Sequence, residues 1–299
     1  MNRSQPEYHD HPEWRKKDCL SRMNYANIDS DLSFINSILH EWRKREVPMK
    51  VIFHPRFYEV YTSDPAAAKG RMEAIVKELK GEFEFIEPSA ASEEDLALVH
   101  GKGHIQNIKR NSLIYELGTL AAGGAILAGE LAFKGEVAFG LIRPPGHHAS
   151  PHSCWGFCYF NNIAIAIRKL ISEEKIKRAL ILDFDLHYGD GTANIFGISK
   201  EVCYHHPEGT NREAFMKNLE EDLRKEKGYE MIAVSAGFDR HEEDWGGLLR
   251  TEDYFTIGKL VKELSLEQCG GRRFAVLEGG YNHSVLGKNV KRFIQGFRD

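Results

Sequence analysis

Seven short apolar runs carry almost no polar alternation, and that constrains this chain more than any other feature. They lie at 51–53, 83–86, 137–142, 179–184, 201–204, 230–235 and 274–277. A strand covered on one face alternates polar and apolar residues; most of these do not, so they suit a sheet covered on both sides. Between them, apolar residues recur at helical spacing over 66–79, 113–132, 161–172, 213–225, 251–266 and 284–297. Repeated β–α alternation predicts a single α/β domain over residues 49–299, with a mainly parallel central sheet and helices on both faces.

Residues 1–48 read as an N-terminal extension. About thirty polar and charged residues come first, without hydrophobic periodicity. Leu32, Ile35, Leu39 and Trp42 then recur at helical spacing, with Ser30 or Asp31 available as N-cap. That predicts one amphipathic helix ending before Pro48, whose stripe would dock on the domain or else pair with another subunit, making a homo-oligomer. His9, Asp10 and His11 sit in a stretch polar enough to leave them solvated. No apolar segment suited to a signal peptide opens the chain. The longest apolar runs, such as 179–182, are too short to cross a bilayer, so no membrane role is expected. A net charge of -4 gives no general pull toward nucleic acid. Five cysteines (Cys19, Cys154, Cys158, Cys203, Cys269) form no CxxC pair, and their odd number and spread suit a reducing cytoplasm.

Ligands of open α/β sheets bind at the carboxyl ends of the strands, where this sequence concentrates its unusual residues. Four clusters each follow a predicted strand: Arg143-Pro144-Pro145-Gly146-His147-His148, the run from Asp183 to Gly191, Ser235-Ala236-Gly237-Phe238-Asp239, and Glu278-Gly279-Gly280-Tyr281. Asp183, Asp185 and His187 alternate along an extended segment and so share one face. Buried carboxylates beside an imidazole need their charge neutralised, and a divalent cation does that. Asp185, His187 and Asp239 would supply three ligands and leave one position open, the arrangement of a catalytic rather than a structural zinc. His147 and His148, held on a proline-stiffened turn, titrate near neutrality and suit proton transfer to and from a water. Asp183 and Asp190 are carboxylates that could orient them. Tyr281, freed by Gly279-Gly280, could donate a hydrogen bond to an oxyanion.

These clusters resemble the histone deacetylase family, which includes acetylpolyamine amidohydrolases and acetoin-utilisation proteins. RPPGHHA, GFCYFNNIAIA, DFDLHYGDGT, VSAGFD and LEGGY stand in the family's order, and the likeness runs from about Phe53 to the C-terminus. The resemblance implies an arginase-like three-layer α/β/α domain with one Zn²⁺ per chain on Asp185, His187 and Asp239. It pairs His147 with Asp183 and His148 with Asp190, makes Tyr281 the group that polarises the acyl carbonyl, and places Gly156 and Phe157 in the wall of a narrow channel. The implied reaction frees an amine from an acetyl or other short acyl group, on acetyl-lysine, an acetylated polyamine or a small amide.

Some positions depart from the family pattern. The strand Val202-Cys203-Tyr204-His205-His206 lacks the serine that helps relatives hold a monovalent cation, which argues against K⁺. His205 or His206 would stand in the channel wall where relatives carry an aromatic. The segment before Asn111-Ser112 lacks an aspartate used to grip a peptide backbone, which weakens the case for a peptide substrate. Trp245 suits either the mouth of the site or the core. Two alternatives remain: a binuclear manganese hydrolase, disfavoured because Arg240 and His241 follow Asp239, and a catalytically silent binder of acylated ligands.

Overall fold

The computed structural model describes residues 49–298; the extension over residues 1–48 and its amphipathic helix lie outside the described residues. Seven strands form one parallel sheet: β1 (Met49–Ile52), β2 (Glu84–Ile86), β3 (Val137–Gly140), β4 (Ala179–Asp183), β5 (Val202–His205), β6 (Met231–Ala236) and β7 (Arg273–Leu277). Every apolar run named above supplies one strand. The order across the sheet is β2-β1-β3-β7-β6-β4-β5.

Each residue of β3, β4, β6 and β7 is buried, while the edge strands β2 and β5 are mostly half-exposed. The missing polar alternation therefore marks the four central strands, which are covered on both faces. Nine helices cover the described sheet: α1 (Arg71–Leu79), α2 (Glu93–Ala97), α3 (Lys102–Lys109), α4 (Ser112–Phe133), α5 (Asn162–Ser172), α6 (Asp190–Phe196), α7 (Arg212–Lys225), α8 (Thr251–Cys269) and α9 (His283–Arg298). α9 packs on α1 and α8, whereas α4 packs on α5 and on strands β3 and β7. The result is a three-layer α/β/α domain.

Helix starts follow local side-chain chemistry. Asn111, Asn161 and Asn211 each accept a hydrogen bond from a first-turn backbone N–H, opening α4, α5 and α7. α4 is long and apolar enough, by length and composition, to cross a membrane, but two-thirds of its most apolar window is buried inside the fold. It is the core helix, the one whose helical spacing is already visible over 113–132.

The sheet order decides where chemistry can occur. β3, β7, β6 and β4 are consecutive neighbours, and the four residue clusters follow those four strands. Register keeps their ends level: Gly140 pairs with Val276, Val276 with Ser235, and Ser235 with Asp183.

Candidate active site

Asp185, His187 and Asp239 meet at the carboxyl ends of β4 and β6. Their ligand atoms lie within 4.8 Å of one another. His187 Nδ1 stands 3.2 Å from Asp185 Oδ1 and 3.0 Å from Asp239 Oδ2. Backbone N–H groups fix both carboxylates: Gly279 donates to Asp185 Oδ2 at 2.8 Å and Leu186 to Asp239 Oδ1 at 3.0 Å. The close approach needs glycine: a Cβ on Gly279 would sit 2.6 Å from Asp185 Oδ2 and 2.7 Å from Asp239 Oδ2.

This trio fits a divalent ion. The His187 ring N–H is directed to Asp185 Oδ1, so buried Asp239 Oδ2, 3.0 Å from the same nitrogen, is paired with it through charge and accepts no hydrogen bond of its own. Such an orphaned carboxylate oxygen is costly unless a cation faces it. Both carboxylates push the His187 imidazole up to about 10, so in their field it takes a proton where a metal would otherwise supply the charge. Two carboxylates and one imidazole form a borderline-hard donor set that suits zinc and also Fe²⁺ or Co²⁺.

Two His–Asp pairs flank the trio. His147 Nδ1 lies 3.0 Å from Asp183 Oδ2, and His147 Nε2 is 3.9 Å from Asp185 Oδ1. His148 Nδ1 lies 2.6 Å from Asp190 Oδ1. The environments differ in sign. Burial alone would lower the pKa of His147, but Asp185 and Asp183 outweigh it and hold the ring well above its ordinary value. His148 is lowered, first by burial and then by the charge on His147. One imidazole thus favours holding a proton and the other favours being free of one.

The third wall is aromatic. Tyr281 N donates to Asp244 Oδ2 at 2.8 Å, and the Tyr281 ring lies against Trp245, tilted by 30°, with centroids 4.1 Å apart. Burial, with Asp185 and Asp239 nearby, raises the phenol's pKa, so it stays a neutral donor. Phe157 meets the Tyr281 ring edge-on at 6.1 Å and has a positive φ of 66°. Gly156 precedes it at φ 58°, where a Cβ would come within 2.3 Å of His148. His206 accepts from Arg240 Nη2 at 2.9 Å and its ring faces Tyr188, in the wall of a 640 Å³ cavity shared with Leu186, Glu208, Thr210 and Asn218. His205 points to the other side of β5, toward Cys203.

Four residues reach the site without a role assigned from sequence. Glu278 is buried, accepts from the backbone of Gly146 and His147, and has its carboxyl pushed up to about 7 by burial. An acid closing an all-apolar strand was the available signal. Tyr204 donates to Asp183 Oδ2 at 2.9 Å and accepts from Gly189 N. Trp155 covers His148 at 4.1 Å between rings and donates from Nε1 to Asp190 Oδ2 at 2.8 Å. The Arg240 guanidinium donates to the carbonyls of Phe184 and Asp185, bracing the loop that carries the trio. These three depend on contacts between distant segments, which periodicity does not report.

The profile of the histone deacetylase domain matches residues 65–215 and 200–297. The chain belongs to the histone deacetylase family. A probable deacetylase of Methanothermobacter thermautotrophicus is 30% identical over 306 residues, spanning 82% of this chain and 90% of that protein. A probable deacetylase of Archaeoglobus fulgidus is 31% identical over 282 residues, spanning 77% of each. Among solved structures, the HD domain of HDA15 superposes with a TM-score of 0.74 at 23% identity, covering 84% of this chain and 89% of that one. That likeness carries the fold, and the family match with its probable-deacetylase relatives supports a deacetylase-type hydrolase.

Proposed function

We propose that the chain is a zinc-dependent deacylase that hydrolyses the amide of an acylated amine, such as acetyl-lysine, an acetylated polyamine or a small amide. One observation carries the reading: the Asp185–His187–Asp239 trio, with an orphaned carboxylate oxygen, lies between two His–Asp pairs of opposite proton preference. A zinc ion on that trio would polarise the scissile carbonyl and acidify the attacking water.

The chain's own residues do the rest. His148, oriented by Asp190 and shielded by Trp155, takes a proton from the water as its oxygen bonds the acyl carbon. Tyr281 donates its phenolic hydrogen bond to the oxygen where negative charge develops. His147, held protonated beside Asp183, delivers a proton to the nitrogen as the C–N bond breaks, or steadies the developing charge. Carboxylate and free amine leave, and no covalent enzyme intermediate is needed. Gly156 and Phe157 line the approach opposite Trp245. With Tyr204 on Asp183 and Arg240 on neighbouring carbonyls, no step calls for K⁺. The four described cysteines are free thiols, which supports a reducing, cytoplasmic setting.

The test is turnover of metal-reconstituted enzyme on acyl-lysine peptides and acyl-polyamines. Wild type should hydrolyse at least one class. Tyr281→Phe should lose roughly 10²–10³-fold in kcat, as removal of an oxyanion donor does elsewhere, and Asp185→Asn should abolish turnover. A wild type that holds zinc yet hydrolyses nothing in the panel would sink the catalytic reading in favour of a binding protein.

A further inference from the structure

The edge strand β5 presents two faces of different chemistry. Tyr204 points inward to Asp183, so its neighbours Cys203 and His205 share the opposite face. There Cys203 Sγ lies 3.3 Å from His205 Nε2, and His205 Nε2 lies 3.6 Å from Oε1 of Glu226, the residue that ends α7. All three donor atoms fall within 4.8 Å of one another. A tetrahedral ion, about 2.3 Å from a thiolate sulfur and about 2.0–2.2 Å from nitrogen or oxygen, holds its ligand atoms roughly 3.3–3.6 Å apart. The two distances to His205, 3.3 and 3.6 Å, already match that spacing, and Cys203 and Glu226 come within 4.8 Å of each other.

Charge and access agree with the geometry. A thiolate and a carboxylate together neutralise a dication. Arg178, anchored on the carbonyl of Lys227, lies close enough to favour the thiolate and would oppose only a site left with net positive charge. The side chains of His205 and Glu226 are 19% and 30% exposed, so the fourth position opens to solvent. A hydrogen-bonded thiol is the competing account of the same cluster, and the test must separate the two.

We infer that Cys203, His205 and Glu226 form a second metal site, for a borderline divalent ion such as Zn²⁺ or Co²⁺, that ties the edge strand to the end of α7. It shares no ligand with the Asp/His/Asp trio. Binding a divalent ion there requires the thiol to give up its proton.

Cobalt loading of the full chain under anaerobic conditions distinguishes the sites, because the Asp185–His187–Asp239 trio contains no sulfur. A thiolate-to-cobalt charge-transfer band should form in wild type and survive Asp185→Asn. It should vanish in Cys203→Ser and weaken in Glu226→Gln. Bound cobalt should fall from about two to about one per chain in Cys203→Ser, with hydrolytic turnover unchanged. A band that persists in Cys203→Ser would move the thiolate elsewhere and overturn the assignment, as would wild type that binds a single cobalt and shows no band. Alkylation of wild-type Cys203, read by peptide mass mapping, covers the case of a variant that misfolds. Zinc should slow that alkylation at least about tenfold, and equal rates with and without zinc would refute the site.

Discussion

At the scale of single residues, the sequence showed which side chains carry chemistry but not which ones hold them. Asp183, Asp185 and His187 were readable because strand periodicity places alternate residues on one face. Trp155 was not, because its role depends on reaching Asp190, thirty-five positions away. Its Nε1–H fixes the carboxylate that orients His148, and a hydrogen bond to a charged group is worth about 1.5–3 kcal/mol. Trp155→Phe keeps a ring over His148 and removes only that donor. Steady-state kinetics should show kcat reduced roughly 10–100-fold with circular dichroism unchanged, the lost bond converted at 1.4 kcal/mol per decade. A variant with full kcat would show that Asp190 needs no second anchor.

Glu278 makes a different residue-scale prediction. Its folded pKa of about 7 lies above the ordinary carboxyl value, because burial disfavours the charge. Below about pH 4.5 folded and unfolded chains both hold the proton. Between there and about 7 the unfolded chain releases it first, so stability falls as pH rises, and above 7 the loss is constant. The full loss is on the order of 3 kcal/mol. Glu278→Gln lacks this titration. In metal-free protein, its unfolding free energy relative to wild type should therefore increase from pH 5 to pH 8. A difference that stays flat across that range would mean Glu278 is ionised throughout.

At the scale of elements, all seven strands and six of the nine described helices were legible, since long apolar periodicity survives any tertiary context. α2, α3 and α6 are five, eight and seven residues long, too short for a 3.6-residue period to repeat clearly. α6 also opens inside the Asp183–Gly191 cluster, which read as extended chain. α4 teaches the converse. Gly123 and Gly124 lower its helix propensity, yet they let it press against the chain around Ser89 and against Ile142. A Cβ on Gly123 would fall 1.9 Å from the Ser89 carbonyl oxygen. Propensity alone says that Gly→Ala in a helix gains about 1 kcal/mol. Gly123→Ala should instead lose at least about 1–3 kcal/mol through overpacking. Gly103→Ala in α3 meets nothing within 4 Å and should gain up to about 1 kcal/mol. Denaturant melts of the two variants read this sign reversal directly, and a stabilised Gly123→Ala would refute the close packing.

At the scale of the whole molecule, the fold brings negative charge together and relies on something positive to balance it. Parallel strands β7, β6 and β4 deliver Glu278, Asp239, Asp183 and Asp185 to one rim. Arg240 and the protonated His147 ring balance part of that charge from within the chain. His187 balances more when protonated, with a folded pKa of about 10 against an ordinary 6.5. A raised histidine contributes stability that is complete below about 6.5 and disappears as pH climbs through about 10. Chelator-treated protein should therefore melt at progressively lower temperature across that window. Zinc on the trio must displace the same proton, so its apparent affinity should rise with pH over the same interval. The stabilisation that a fixed excess of zinc confers should then grow by about 1.4 kcal/mol per pH unit. Measuring it in Cys203→Ser confines the ion to the Asp185–His187–Asp239 trio. Calorimetry in buffers of different ionisation enthalpy should detect about one proton released per zinc between pH 7 and 9. Proton release near zero would mean His187 is already neutral in the metal-free fold, leaving Asp185 and Asp239 to share the missing charge some other way.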